Sequence, residues 1–105
     1  MKIVKPLWTM QQLEDLVHVL ARNSSKVVIT LHCQERMVQR GVSAIEVLRC
    51  LQRGRVLDEP IYNQKNKHFV FKMSEPAPRD VVCVVAAVEP NPEPGKLFAV
   101  TVWEV

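Results

Sequence analysis

Paired cysteines are missing from this chain. Its three cysteines, Cys33, Cys50 and Cys83, are widely spaced, and no C-x-x-C occurs. That argues against a zinc site or a disulfide framework. It leaves buried free thiols, since each cysteine sits in an apolar pattern. A reducing, cytoplasmic setting is the matching expectation. Glycine is also scarce, with three residues in 105. No Gly-rich phosphate loop, nucleophile elbow, paired-carboxylate motif or metal-ligand spacing is present, so the residues call for no metal and no cofactor. No segment reaches the roughly 18 apolar residues of a membrane span. The stretch MKIVKPLWTM has neither a long apolar run nor a small-residue cleavage site, so neither a membrane segment nor a signal peptide is expected. No internal repeat is visible.

What is there fits one domain. Hydrophobic residues make up 48% and charged residues 24% of 105 residues, the composition of a globular protein with a real core. The net charge of +3 is mildly basic, which permits nucleic-acid binding without demanding it. The domain divides into an N-terminal helix region (1–26), a helical hairpin (27–54) and a sheet region (55–105).

Thr9 with Gln12 three residues on reads as a capping box. Met10, Leu13, Leu16, Val17 and Leu20 recur at helical spacing, which predicts a helix over 10–22. KVVITL (26–31) is β-branched and reads as a strand or an extended lead. Thr30 then caps a second helix over 32–40, closed by Gly41. Ser43 and Glu46 form the capping box of a third helix, which Gly54 ends. Beyond Gly54 the period falls to two. RVLDEPIYN (55–63) is a strand that Pro60 weakens or places at an edge. Residues 63–67 are a polar turn, and HFVFKM (68–73) is the next strand. Residues 80–88 are a near-continuous apolar run, as in a central strand buried on both faces. KLFAVTVWEV (96–105) is the last strand. Two loops rich in proline and acid, 75–80 and 89–95, separate these strands. The expected class is α+β, with the helices packed on one face of a four-stranded antiparallel β-meander.

The stretch LHCQERMVQRGVS (31–43) carries the functional question. Positions four apart on a helix drift by about 40°, so His32, Arg36 and Arg40 form one shallow stripe. Cys33 and Met37 are its core-facing edge, and Glu35 and Gln39 its solvent side. His32 stands in the first turn, where backbone N–H groups favour an anion. Histidine moves protons near neutral pH, and arginines bind phosphate oxygens and stabilise developing charge. That set suits metal-independent RNA cleavage, in which the substrate's 2′-OH is the nucleophile. The plainer reading is an amphipathic helix with a solvated basic face.

The stretch resembles the signature of a bacterial family of unknown function, His-Ala-x-x-Arg-Met-x-x-Arg-Gly-Ile-Ser. Here it reads His32, Cys33, Arg36, Met37, Arg40, Gly41, Val42 and Ser43, with Cys33 for alanine and Val42 for isoleucine. The resemblance covers about residues 28–104, through a Val/Leu-rich helix, a glycine and a β-meander that ends near Thr101 and Trp103. That family is grouped with the RelE-like and barnase-like ribonuclease fold, which includes toxins of toxin–antitoxin systems. BrnT-like toxins share the helix-then-meander layout. The resemblance implies His32, Arg36 and Arg40 as active-site residues, Thr101 as a fourth from the last strand, RNA as the target and a cognate antitoxin as a partner.

Other residues extend the basic bias. Arg49 and Arg53 on the third helix, and Lys65, Lys67 and His68 around the polar turn, are candidate nucleic-acid contacts. With Glu46 one turn before Arg49, a solvated face is the alternative. His68 is also a candidate second acid/base. His18 reads as structural. Two functions follow. One is a small metal-independent ribonuclease or toxin-like RNA-binding domain. The other is a non-enzymatic module that binds a protein or nucleic acid, an inhibitor or adaptor from a mobile element, in which the motif arginines hold loop carbonyls. The sequence leaves the oligomeric state open.

Overall fold

A computed structural model describes residues 8–77, 82–89 and 95–104. The opening residues 1–7, parts of both proline-rich loops, the first two residues of the strand expected from 80, and Val105 lie outside the described residues. Among the described residues there are three α-helices, α1 (Met10–Ala21), α2 (Leu31–Arg40) and α3 (Ala44–Arg53). Six strands accompany them: β1 (Val27–Ile29), β2 (Arg55–Val56), β3 (Ile61–Asn63), β4 (His68–Ser74), β5 (Val82–Val88) and β6 (Leu97–Glu104). A short 3₁₀ turn, Ser24–Lys26, precedes β1.

The helix ends are where the capping residues put them. Thr9 N–H donates to Gln12 Oε1 at 2.9 Å while Gln12 N–H donates to Thr9 Oγ1 at 3.1 Å. Ser43 and Glu46 make the same reciprocal pair at the start of α3. Each box satisfies donors that a helix start would otherwise leave open. Gly41 closes α2 with φ +66°, a left-handed conformation that glycine adopts without a Cβ penalty.

Strands β4, β5 and β6 form an antiparallel meander. Phe69, Phe71 and Met73, then Val84, Ala86 and Val88, then Leu97, Ala99 and Val102 share one face of it. They are buried with Leu13 and Val17 of α1, Cys33 of α2, and Val47, Cys50 and Leu51 of α3. This core removes apolar area from water, the main stabilising contribution to such a fold. Burial pushes the Cys33 thiol up to about 11 and the Cys50 thiol up to about 12. All three cysteines are free and buried. The last turns of α1 and α3 are tied by side chains: Gln52 Nε2–H donates to the Ala21 carbonyl at 3.0 Å, and His18 Nε2–H to the Gly54 carbonyl at 2.7 Å.

Four details differ from the sequence expectation. Among the described residues the sheet has six strands, in the order β1-β6-β5-β4-β2 with β3 also on β4, where four were expected. The strand expected over 55–63 is two short strands on one edge of β4, because Pro60 has no N–H for the ladder and the chain rejoins only at Ile61. β1 is the strand that KVVITL offered, but it pairs parallel to β6 at the far edge of the sheet, outside the antiparallel meander. Finally, α2 and α3 do not pack as a hairpin. α2 lies against β6, while α3 packs against α1, β4 and β5. The left-handed turn at Gly41 and the buried Val42 redirect the chain between them.

Candidate nucleic-acid interface

Thr30 positions α2. Its N–H donates to the Ala99 carbonyl at 3.1 Å, and its hydroxyl donates to the Val100 carbonyl at 3.1 Å. The same oxygen accepts the Cys33 N–H at 3.1 Å as the helix cap. The Val100 carbonyl is reachable because β6 bulges there: Thr101 pairs with Val85 and Ala99 with Ala86, which leaves Val100 extra. One residue therefore ends β1, starts α2 and fastens both to β6.

On α2, Cys33 is buried and Met37 half-buried, with Glu35 and Gln39 exposed, as the stripe requires. His32 and Arg40 are exposed and Arg36 is half-buried. The helix brings these three to one flank. Arg36 Nη1–H donates to Gln39 Oε1 at 3.0 Å, a neighbour on the same helix. Among the described residues, no hydrogen bond or ion pair ties Arg36 or Arg40 to a backbone carbonyl or a carboxylate. Their guanidinium groups therefore keep donors that water, or a phosphate in its place, can accept.

The remaining candidates sit elsewhere. Thr101 is half-buried on β6 and follows the alternation away from Val102, onto the sheet face opposite the helical core. No hydrogen bond in the described residues joins it to the α2 stripe. Arg49 is a partner of Glu75: Nε and Oε1 stand 3.3 Å apart, without the geometry of a hydrogen bond, and the Glu75 side chain is 10% exposed. Arg53 is exposed at the end of α3. Lys65 and Lys67 are exposed in the β3–β4 turn. His68 opens β4 opposite Asn63, half-buried, with its ring 6.5 Å from that of Phe98. Burial holds its imidazole below the usual value, against a weaker upward pull from Glu89.

The sequence reading missed the second face of the sheet. Cross-strand pairing aligns Val28, Phe98, Ala87, Val70 and Ile61 in one apolar row across five strands. Beside it lie Thr101, Val85 and Lys72, then Trp103, Cys83, Ser74 and Arg55. Among the described residues, two grooves on this face, of about 540 and 430 Å³, are both lined by Asp58 and Lys72. A third, of about 300 Å³, lies on α3 between Ile45, Leu48 and Arg53. None of the three is lined by His32, Arg36 or Arg40. The available signal was VCVVAAV (82–88), where both phases carry apolar residues.

Among the described residues no cluster of three His, Cys, Asp or Glu side chains is placed to hold a metal ion, and no helix is long and apolar enough to cross a membrane. Residues 29–104 match the family described as "Domain of unknown function (DUF4258)". No curated protein and no solved structure matches the chain.

Proposed function

The chain belongs to the DUF4258 family, and from that premise we propose that it is a small RNA-directed domain of the RelE/barnase-like, toxin-like kind, whose α2 flank engages the phosphate backbone. One observation carries this reading: Arg36 and Arg40 stand beside His32 on one flank, free of carboxylate and carbonyl partners among the described residues. Arg49 makes the contrast, since Glu75 already neutralises it.

On this reading Arg36 and Arg40 bind phosphate oxygens. His32 accepts the proton of the adjacent ribose 2′-OH as that oxygen attacks phosphorus. The bond from phosphorus to the 5′-oxygen breaks, and the leaving oxygen takes a proton from water. The products are a 2′,3′-cyclic phosphate and a 5′-hydroxyl. The arginines stabilise the extra negative charge on the non-bridging oxygens as it develops. A cognate antitoxin or another protein is the corresponding partner, and the cytoplasm the corresponding setting.

A second reading is binding without cleavage, as an inhibitor or adaptor. It is favoured by the absence of His32, Arg36 and Arg40 from the three described grooves, since catalysis gains from a water-excluded site. Inducible expression in a bacterial host separates the two. Growth and total-RNA integrity are followed beside an equally expressed His32→Ala variant. Growth arrest with RNA cleavage, both lost in the variant, is the expected result. Intact RNA in both cultures overturns the cleavage step and leaves the binding module.

A further inference from the structure

The open face of the sheet carries a feature that RNA binding by α2 does not use. Ile61, at the end of the apolar cross-strand row, is 74% exposed, and Leu57 nearby is 47% exposed. Leu57 lines one and Ile61 the other of the two grooves that share Asp58 and Lys72, and Val70 and Val85 line the Ile61 groove. Large apolar side chains clustered at a groove mark a surface that gains by being covered. The charge around them is specific. Asp58 and Glu59 stand on the Ile61 side, and neither has an ion-pair partner among the described residues. Lys72 is drawn the other way, its ammonium 5.7 Å from the centre of the Trp103 ring. The Ile61 end is therefore acidic on a chain of net charge +3. Phosphate is repelled there and a cationic side chain attracted. Strand addition at the neighbouring edge is a poor alternative. β3 has three residues, and Pro60 just before it offers no N–H.

We propose that this groove face, from Ile61 across Val70 and Val85, docks a protein partner through an amphipathic segment, apolar side chains on the row and lysine or arginine side chains against Asp58 and Glu59. The protein then has two ligand surfaces on opposite sides of the sheet, a basic flank on α2 and an apolar, acid-rimmed groove. The proposal does not depend on RNA binding by α2.

Two synthetic peptides of equal length and leucine content test it, one with lysine and the other with glutamate at the polar positions. Binding is read by fluorescence anisotropy at physiological salt. The lysine peptide is expected to bind at least about tenfold tighter than the glutamate peptide, the factor of one well-placed contact. Ile61→Ser is expected to weaken it by a similar factor without moving the Tm, because Ile61 is mostly exposed. Asp58→Lys with Glu59→Lys is expected to reverse the preference. Equal binding of the two peptides, or binding untouched by Ile61→Ser, overturns the proposal. So does direct binding of single-stranded RNA that Ile61→Ser weakens and Arg36→Ala/Arg40→Ala leaves unchanged, which assigns the face to nucleic acid. Self-association that Ile61→Ser abolishes also overturns it, since the occupant is then a second copy.

Discussion

Arg36 and Arg49 carry the same guanidinium on consecutive helices, and their surroundings give them different roles. Among the described residues Arg36 hydrogen-bonds only to Gln39. Arg49 lies 3.3 Å from a nearly buried carboxylate, and a charge so paired contributes little to attracting phosphate. His68 shows the same dependence on place. Burial lowers its pKa from 6.5. The unfolded chain therefore binds the proton more readily than the folded one, so stability is full above about pH 6.5 and is lost as the pH falls toward the folded value. The Tm is expected to hold at neutral pH and to decline on acidification before the carboxylates titrate. His68→Gln is expected to flatten that decline. Calorimetric Tm values for both proteins across this range make the check, and identical pH profiles contradict it.

At the scale of elements, two glycines end two helices for different reasons. Gly41 has φ +66° with nothing within 4 Å of where a Cβ would stand, so alanine there meets only backbone strain. Gly54 is extended, at φ −75° and ψ 169°, but a Cβ would run into the Cys50 carbonyl oxygen and stand 3.2 Å from the carbonyl of Ser74. Backbone atoms do not yield as a flexible side chain does. Gly54→Ala is expected to cost about 1–3 kcal/mol by overpacking, which in a domain of this size lowers the Tm by several degrees or more. Gly41→Ala is expected to cost about 1–2 kcal/mol. Thermal melts of the two variants check the order, and a larger loss at Gly41 contradicts the contact argument.

The caps, helix ends and meander strands were legible because each depends on residues close in sequence. Thr9 with Gln12, Thr30, and Ser43 with Glu46 are local signals, and α1, α2 and α3 begin where they point. The parallel pairing of β1 with β6 was not legible. It depends on Val27–Ile29 meeting Leu97–Ala99 across most of the chain, and no periodicity encodes a parallel partner. The packing of α2 on β6 was hidden for the same reason, since Thr30 caps by a local rule but anchors through the distant Ala99 and Val100 carbonyls. The stripe of His32, Arg36 and Arg40 was visible as helical spacing. That Thr101 falls on the opposite sheet face depends on the β6 pairing and its bulge, which the sequence does not announce.

Across the whole molecule, an excess of three positive charges is small, so its distribution decides what it attracts. The helical side presents Arg36, Arg40 and Arg53, while the open sheet face gathers Asp58 and Glu59 beside exposed Ile61. The central claim is that the α2 flank makes the phosphate contacts. The most direct test is the salt dependence of affinity for a short single-stranded RNA, for the wild type and an Arg36→Ala/Arg40→Ala variant. Each phosphate contact on a single strand contributes about 0.7 to the slope of log K against log salt. The variant is expected to bind more weakly, with a slope shallower by about 1.4 for two lost contacts. The same affinity and the same slope in both proteins would contradict the claim and remove RNA from the α2 flank.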